Sequence, residues 1–174
     1  MALIKLNNQS LTAVTSLPAA ISTGKIGQVV YGSTNIKVQG SGGGFTDTGL
    51  SASITPTATS SKVLVLVTQQ TLKNNSASAA GYIYLQLQRQ IGGGGYSTQK
   101  FVTSLGNYLA GTSTGDANIG ANEYSLNFLD TTNTTSQVDY KTTMTNDTGL
   151  ETQPDDTSGA ERGESSMILM EILA

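Results

Sequence analysis

The densest apolar stretch of the chain is Lys62-Val63-Leu64-Val65-Leu66-Val67-Thr68-Gln69-Gln70. Five consecutive aliphatic residues, three of them β-branched, stand there between Ser60-Ser61 and Lys73-Asn74-Asn75. The run is too short for an independent helix and lacks the three-four spacing of an amphipathic one, so it predicts a strand buried on both faces. The closing segment Ser165–Leu173 is apolar on both faces except at Glu171. On an exposed edge it would invite aggregation, so it too belongs inside a sheet.

The remaining segments alternate. Ile83, Leu85, Leu87 and Arg89 fall on one face of a strand whose other face carries Tyr82, Tyr84, Gln86 and Gln88. Four glycines, 92–95, then turn the chain into Tyr96–Leu105, which predicts a hairpin. Leu50, Ala52 and Ile54 alternate with Ser51, Ser53 and Thr55 until Pro56. Glu123–Leu129 and Gln137–Met144 supply two more strands. Gln28–Tyr31 and Thr34–Val38 predict a small hairpin turned at Gly32-Ser33, followed by the glycine joint Gly40–Gly44. Eight or nine strands at this spacing, with no helical segment, predict an all-β protein: a jelly-roll-like antiparallel sandwich with an extended N-terminal arm.

That arm is residues 1–25. Its aliphatic residues, Leu3, Ile4, Leu6, Leu11, Val14, Leu17 and Ile21, are irregularly spaced, and Pro18 blocks a continuous helix. Such a segment cannot bury itself and gains most by lying on another surface. The chain therefore divides into an attachment arm (1–25), a short β neck with a glycine-rich linker (26–44) and a jelly-roll head (45–174). If one outer face of the head stays too apolar for water, subunits associate through it.

Composition narrows the function. The 174 residues suffice for one domain with a sizeable core; 37% are hydrophobic and only 12% charged, with a net charge of −3. The nine Lys and Arg are scattered singly, so there is no basic stripe to displace phosphate counterions and no nucleic-acid partner is expected. No run is long enough to insert in a membrane, and Met1–Asn7 does not read as a secretory leader. With no Cys and no His, disulfides, thiolate ligands and the commonest general base are excluded.

Candidate chemistry is sparse. Ser22-Thr23-Gly24-Lys25-Ile26 lacks the leading glycine and the hydroxyl residue of a phosphate loop, and no G-x-S-x-G elbow occurs. A glycosidase needs two carboxyls about 5 to 9.5 Å apart. Asp155-Asp156 and Glu161/Glu164 lie on a loop that fixes no such spacing, and Asp130 with Asp139 is the other pair to consider. Residues 147–164 hold six of the twelve acidic residues without EF-hand spacing, so a solvated loop is favoured over a calcium site. No cofactor, metal or catalytic residue is assigned. Two charges stand out: Glu171 in an apolar strand and Arg89 on an aliphatic face each need a partner or an exit to water. They are expected to pair, within a subunit or across an interface. Tyr96 and Tyr108 are the aromatics expected to stack on a glycan if one is bound.

Several pieces, in order, resemble a group of short phage virion proteins of marine and cyanobacterial viruses, tail-fibre-like or capsid-decorating proteins with jelly-roll heads. They are Met1-Ala2-Leu3-Ile4-Lys5-Leu6, Leu17-Pro18-Ala19-Ala20-Ile21, Ile54-Thr55-Pro56 with Thr59–Val65, Tyr84–Arg89, Tyr124–Asp130 and Ser166–Ile172. The resemblance implies a virion location, a trimeric head similar to those of complement and tumour-necrosis-factor proteins, and an N-terminal segment that attaches to capsid or tail proteins. The expected function is that of a non-enzymatic virion structural protein, a fibre or decoration. The alternatives are an adhesin for host surface glycan and, behind it, a glycan depolymerase.

Overall fold

The computed structural model describes residues 25–38, 44–75, 81–107, 118–146, 150–152 and 163–174. Among these, nine strands are present: β1 (Ile26–Thr34), β2 (Thr46–Ile54), β3 (Lys62–Asn75), β4 (Gly81–Ile91), β5 (Ser97–Asn107), β6 (Asn118–Asp130), β7 (Val138–Asn146), β8 (Leu150–Thr152) and β9 (Ser165–Ile172). They form two antiparallel sheets, one in the order β1-β9-β3-β6 and the other β2-β7-β4-β5. The chain passes back and forth between the two, which is the strand arrangement of a jelly roll. The short β8 pairs with Thr71–Lys73 of β3, beyond the stretch of β3 that pairs with β9.

Alternation explains the packing. Val63, Val65 and Val67 of β3 and Met167 and Leu169 of β9 point inward, against Leu50, Ala52 and Ile54 of β2, Leu87 of β4 and Val138 and Tyr140 of β7. Burying a Val, Leu or Ile side chain fully contributes about 1.5–3 kcal/mol, and this two-sided layer is the main support of the fold. The long β3 and the terminal β9 are neighbours in mid-sheet, where their double-sided hydrophobicity placed them. Their outer positions, however, are only half-buried: among the described residues nothing comparable to the core covers Leu64, Leu66, Ile168 and Met170. The expectation of full burial on both faces does not hold among the described residues.

Two local expectations are also revised. Gln28–Val38 is no hairpin and no separate neck; Ile26–Thr34 is a single strand whose full length runs beside β9. Gly32, read as a turn residue, lies within that strand because β2 crosses close beneath it. A Cβ there would clash with the Ser51 carbonyl oxygen. The β4–β5 hairpin is as expected, with Gly92 and Gly93 at positive φ, where glycine is favoured.

Candidate interaction site

Three polar clusters tie the interior together. In the first, Asp130 at the end of β6 meets Arg89 of β4 and Tyr140 of β7 in the opposite sheet. Arg89 donates from one guanidinium nitrogen to both carboxylate oxygens at 2.7 and 2.9 Å, and the Tyr140 hydroxyl donates to Oδ2 at 2.7 Å. Burial, reinforced by the hydrogen bond and charge of Asp130, pushes the Tyr140 phenol far above its ordinary range, so it stays a donor.

In the second, the Thr142 hydroxyl of β7 donates to the side-chain oxygen of buried Gln69 on β3 at 2.8 Å. The Gln69 amide donates in turn to Ser165 Oγ of β9 at 2.9 Å. In the third, Glu171 is wholly buried on the inner face of β9. Gln28 Nε2 donates to its Oε2 at 2.9 Å, and the Thr57 backbone N–H and hydroxyl donate to its Oε1 at 2.6 and 2.7 Å. Burial pushes this carboxyl up, but the hydrogen bonds from Gln28 and from the side chain and backbone of Thr57 outweigh it. The buried Ser61 hydroxyl adds its pull from nearby, short of hydrogen-bonding geometry. The net result is lowered to about 2.

The expected Arg89–Glu171 pair is therefore corrected. Val63 sits opposite both Asp130 and Glu171, so the two acids share one inner row with one strand between them. Arg89, arriving from the other sheet, takes the acid of β6. Glu171 is satisfied by neutral donors from β1 and from the loop after β2, a solution that needs no countercharge when enough N–H and O–H groups converge. Nor do Asp130 and Asp139 make a facing pair of carboxyls. Asp130 points inward, and Asp139, half-buried on the outside of β7, accepts from Gln137 at 2.6 Å.

Tyr96 is exposed beside β7, with the Lys141 ammonium 4.3 Å from its ring centroid, and that ammonium also pairs with Asp47 at 2.9 Å. One ring face is thus already occupied. Tyr108 and the arm residues Leu3, Ile4, Leu6, Leu11, Val14, Leu17 and Ile21 lie outside the described residues, as do Asp155, Asp156 and Glu161. Glu164 is exposed and accepts from the Tyr31 hydroxyl at 3.0 Å; hydrogen bonds from Ser33 and Tyr31 hold its carboxyl below the usual range.

The sequence allows for an apolar outer face without saying which; the structure places it on the β1-β9-β3-β6 sheet. Register places Val29, Met170, Leu64 and Leu129 in one row across all four strands. The next row is Tyr31, Ile168, Leu66 and Asn127. Val29, Tyr31 and Leu129 are each more than half exposed. The other sheet presents Asp47, Ser51, Ser53, Gln86, Gln88, Asp139 and Lys141 outward, relieved by the aromatic group Tyr84, Phe101 and Phe45. The apolar signal is present in the sequence at Leu64, Leu66, Ile168 and Met170, where a continuous apolar run by itself predicts burial on both faces. Compared with known proteins, the chain matches no family model and no curated protein.

Proposed function

We propose that this chain is a non-enzymatic structural protein of a phage virion. Residues 1–25 attach it to capsid or tail proteins, and the β-sandwich is displayed as a self-associated head. The observation that carries the reading is the contrast between the two outer faces: a sandwich with one apolar and one polar exterior is built to be covered on one side and wetted on the other. The interior acids and hydroxyls support it too. Asp130, Glu171 and Thr142 are each engaged in bonds that hold strands and sheets together, a use that leaves them little freedom to react. The fold suits a rigid, multivalent element, in which several weak contacts on one assembly give avidity without a deep pocket.

A specific observation favours a second reading, that of an adhesin for host glycan. Phe101 stacks on Tyr84 and meets Phe45 edge-on, and both phenylalanines remain more than two-fifths exposed on the outside of the polar sheet. Such rings offer stacking surface to a sugar. The deciding experiment is particle assembly with the full chain and with a form lacking residues 1–24. The full chain is expected in purified particles and the shortened form only in the soluble fraction. A shortened form that assembles normally refutes the arm, and a full chain absent from particles refutes the virion role.

A further inference from the structure

We infer that the outer face of the β1-β9-β3-β6 sheet is the seat of a second copy of this chain, packed sheet on sheet. The inference deepens the structural reading above and rests on it for the idea of a self-associated head. It comes, however, from the arrangement of this face alone. Its two apolar rows, Val29-Met170-Leu64-Leu129 and Tyr31-Ile168-Leu66-Asn127, contain no charged residue. Among the described residues, charges stand at the rim of the face: at its two ends and at the β1 edge, where the exposed Glu164 carboxylate accepts from the Tyr31 hydroxyl. Lys62, beside Ile172, lies at one end, and Glu123, beside Gln70, lies at the other. Two such faces can meet without stranding a charge between them, which would be the costly outcome.

The size is sufficient. With strands about 4.8 Å apart and same-face residues about 6.8 Å apart, the five rows from Lys62 to Glu123, two apolar rows with a polar and charged rim around them, cover roughly 600 Å² per copy. Two copies would then bury about 1,200 Å², the lower bound of stable, specific interfaces. A four-stranded face with an apolar centre and a polar rim is well matched by another such face, since sheets pack at about 10 Å with interleaved side chains. A second copy is the one partner that always carries it.

The test uses the full chain. Analytical ultracentrifugation is expected to show a mass that is a multiple of 18.0 kDa. Leu66→Lys, at the centre of the face, is expected to weaken self-association at least about 30-fold, as loss of a central anchor does. Gln88→Lys on the opposite sheet is expected to leave it unchanged. The chain has no cysteine, so single cysteines give a clean second readout that does not depend on a tolerated charge. Thr68→Cys is expected to form a disulfide-linked pair under mild oxidation, and Ser51→Cys is not. A monomer at every concentration, or an assembly indifferent to Leu66→Lys together with no linkage at position 68, overturns the inference. An assembly that forms only when residues 1–24 are present also overturns it, because the arm and not a second face would then be the occupant. A monomeric chain that still enters particles refutes this interface and leaves the virion role standing. A firm oligomer that never enters particles does the reverse.

Discussion

Glu171 offers the sharpest physical test of the interior. Its carboxylate is wholly buried yet accepts three hydrogen bonds, two from Thr57 and one from Gln28, and its pKa falls from 4.5 to about 2. A depressed acid stabilises the fold above its unfolded pKa and loses that contribution as pH falls toward the folded one. The window is therefore from about pH 4.5 down to pH 2. Taken at face value the shift corresponds to about 3 kcal/mol. The hydrogen bonds from Gln28 and Thr57 are only part-buried, and solvent screening reduces the contribution to about 1–2 kcal/mol. Glu171→Gln keeps the shape, removes the charge and sets an amide against the Gln28 donor. Urea denaturation of both proteins from pH 7 to pH 3 is the assay. The variant is expected to be less stable by about 1–2 kcal/mol at pH 7. More than half of the difference should disappear by pH 3, because the native chain loses its advantage on protonation. A difference that stays constant with pH would show that shape rather than charge matters at this site, and the reasoning would fail.

Two further substitutions probe the link between the sheets and the fit of β1. Asp130→Asn removes the charge facing Arg89 and one acceptor of Tyr140, and should lower unfolding stability by about 2–4 kcal/mol, less than for a fully buried pair because Arg89 reaches solvent. Tyr140→Phe, which leaves the Arg89–Asp130 pair intact, should cost only about 1–2 kcal/mol by the same denaturation measurement. Gly32→Ala should cost about 2 kcal/mol or more, since its new methyl would meet the Ser51 carbonyl oxygen and force β1 outward. Faster hydrogen exchange along β1 and β9 than elsewhere would confirm the location.

Much of the fold can be read from period-two alternation, because in a strand the side a residue faces is set by its own position. That rule alone puts Leu85, Leu87 and Arg89 inward and Gln86 and Gln88 outward, while the lack of alternation in β3 and β9, apolar on both faces, marks them as mid-sheet strands. It fails where the answer depends on what crosses the sandwich. Gly32 looks like a turn from its neighbours, yet the close pass of β2 beneath β1 is what requires it. Arg89 and Glu171 both announce a buried charge, but the choice of Asp130 for one and of Gln28 and Thr57 for the other is made by strand order. Residues 41 apart in the chain become neighbours only when the sheets close, and residues 143 apart only when β1 pairs with β9. The same holds for the apolar face. Sequence shows that Leu64, Leu66, Ile168 and Met170 want cover. Whether that cover is the core or something outside the chain is decided by two sheets, which have one interior between them and so can hide only one side of each strand.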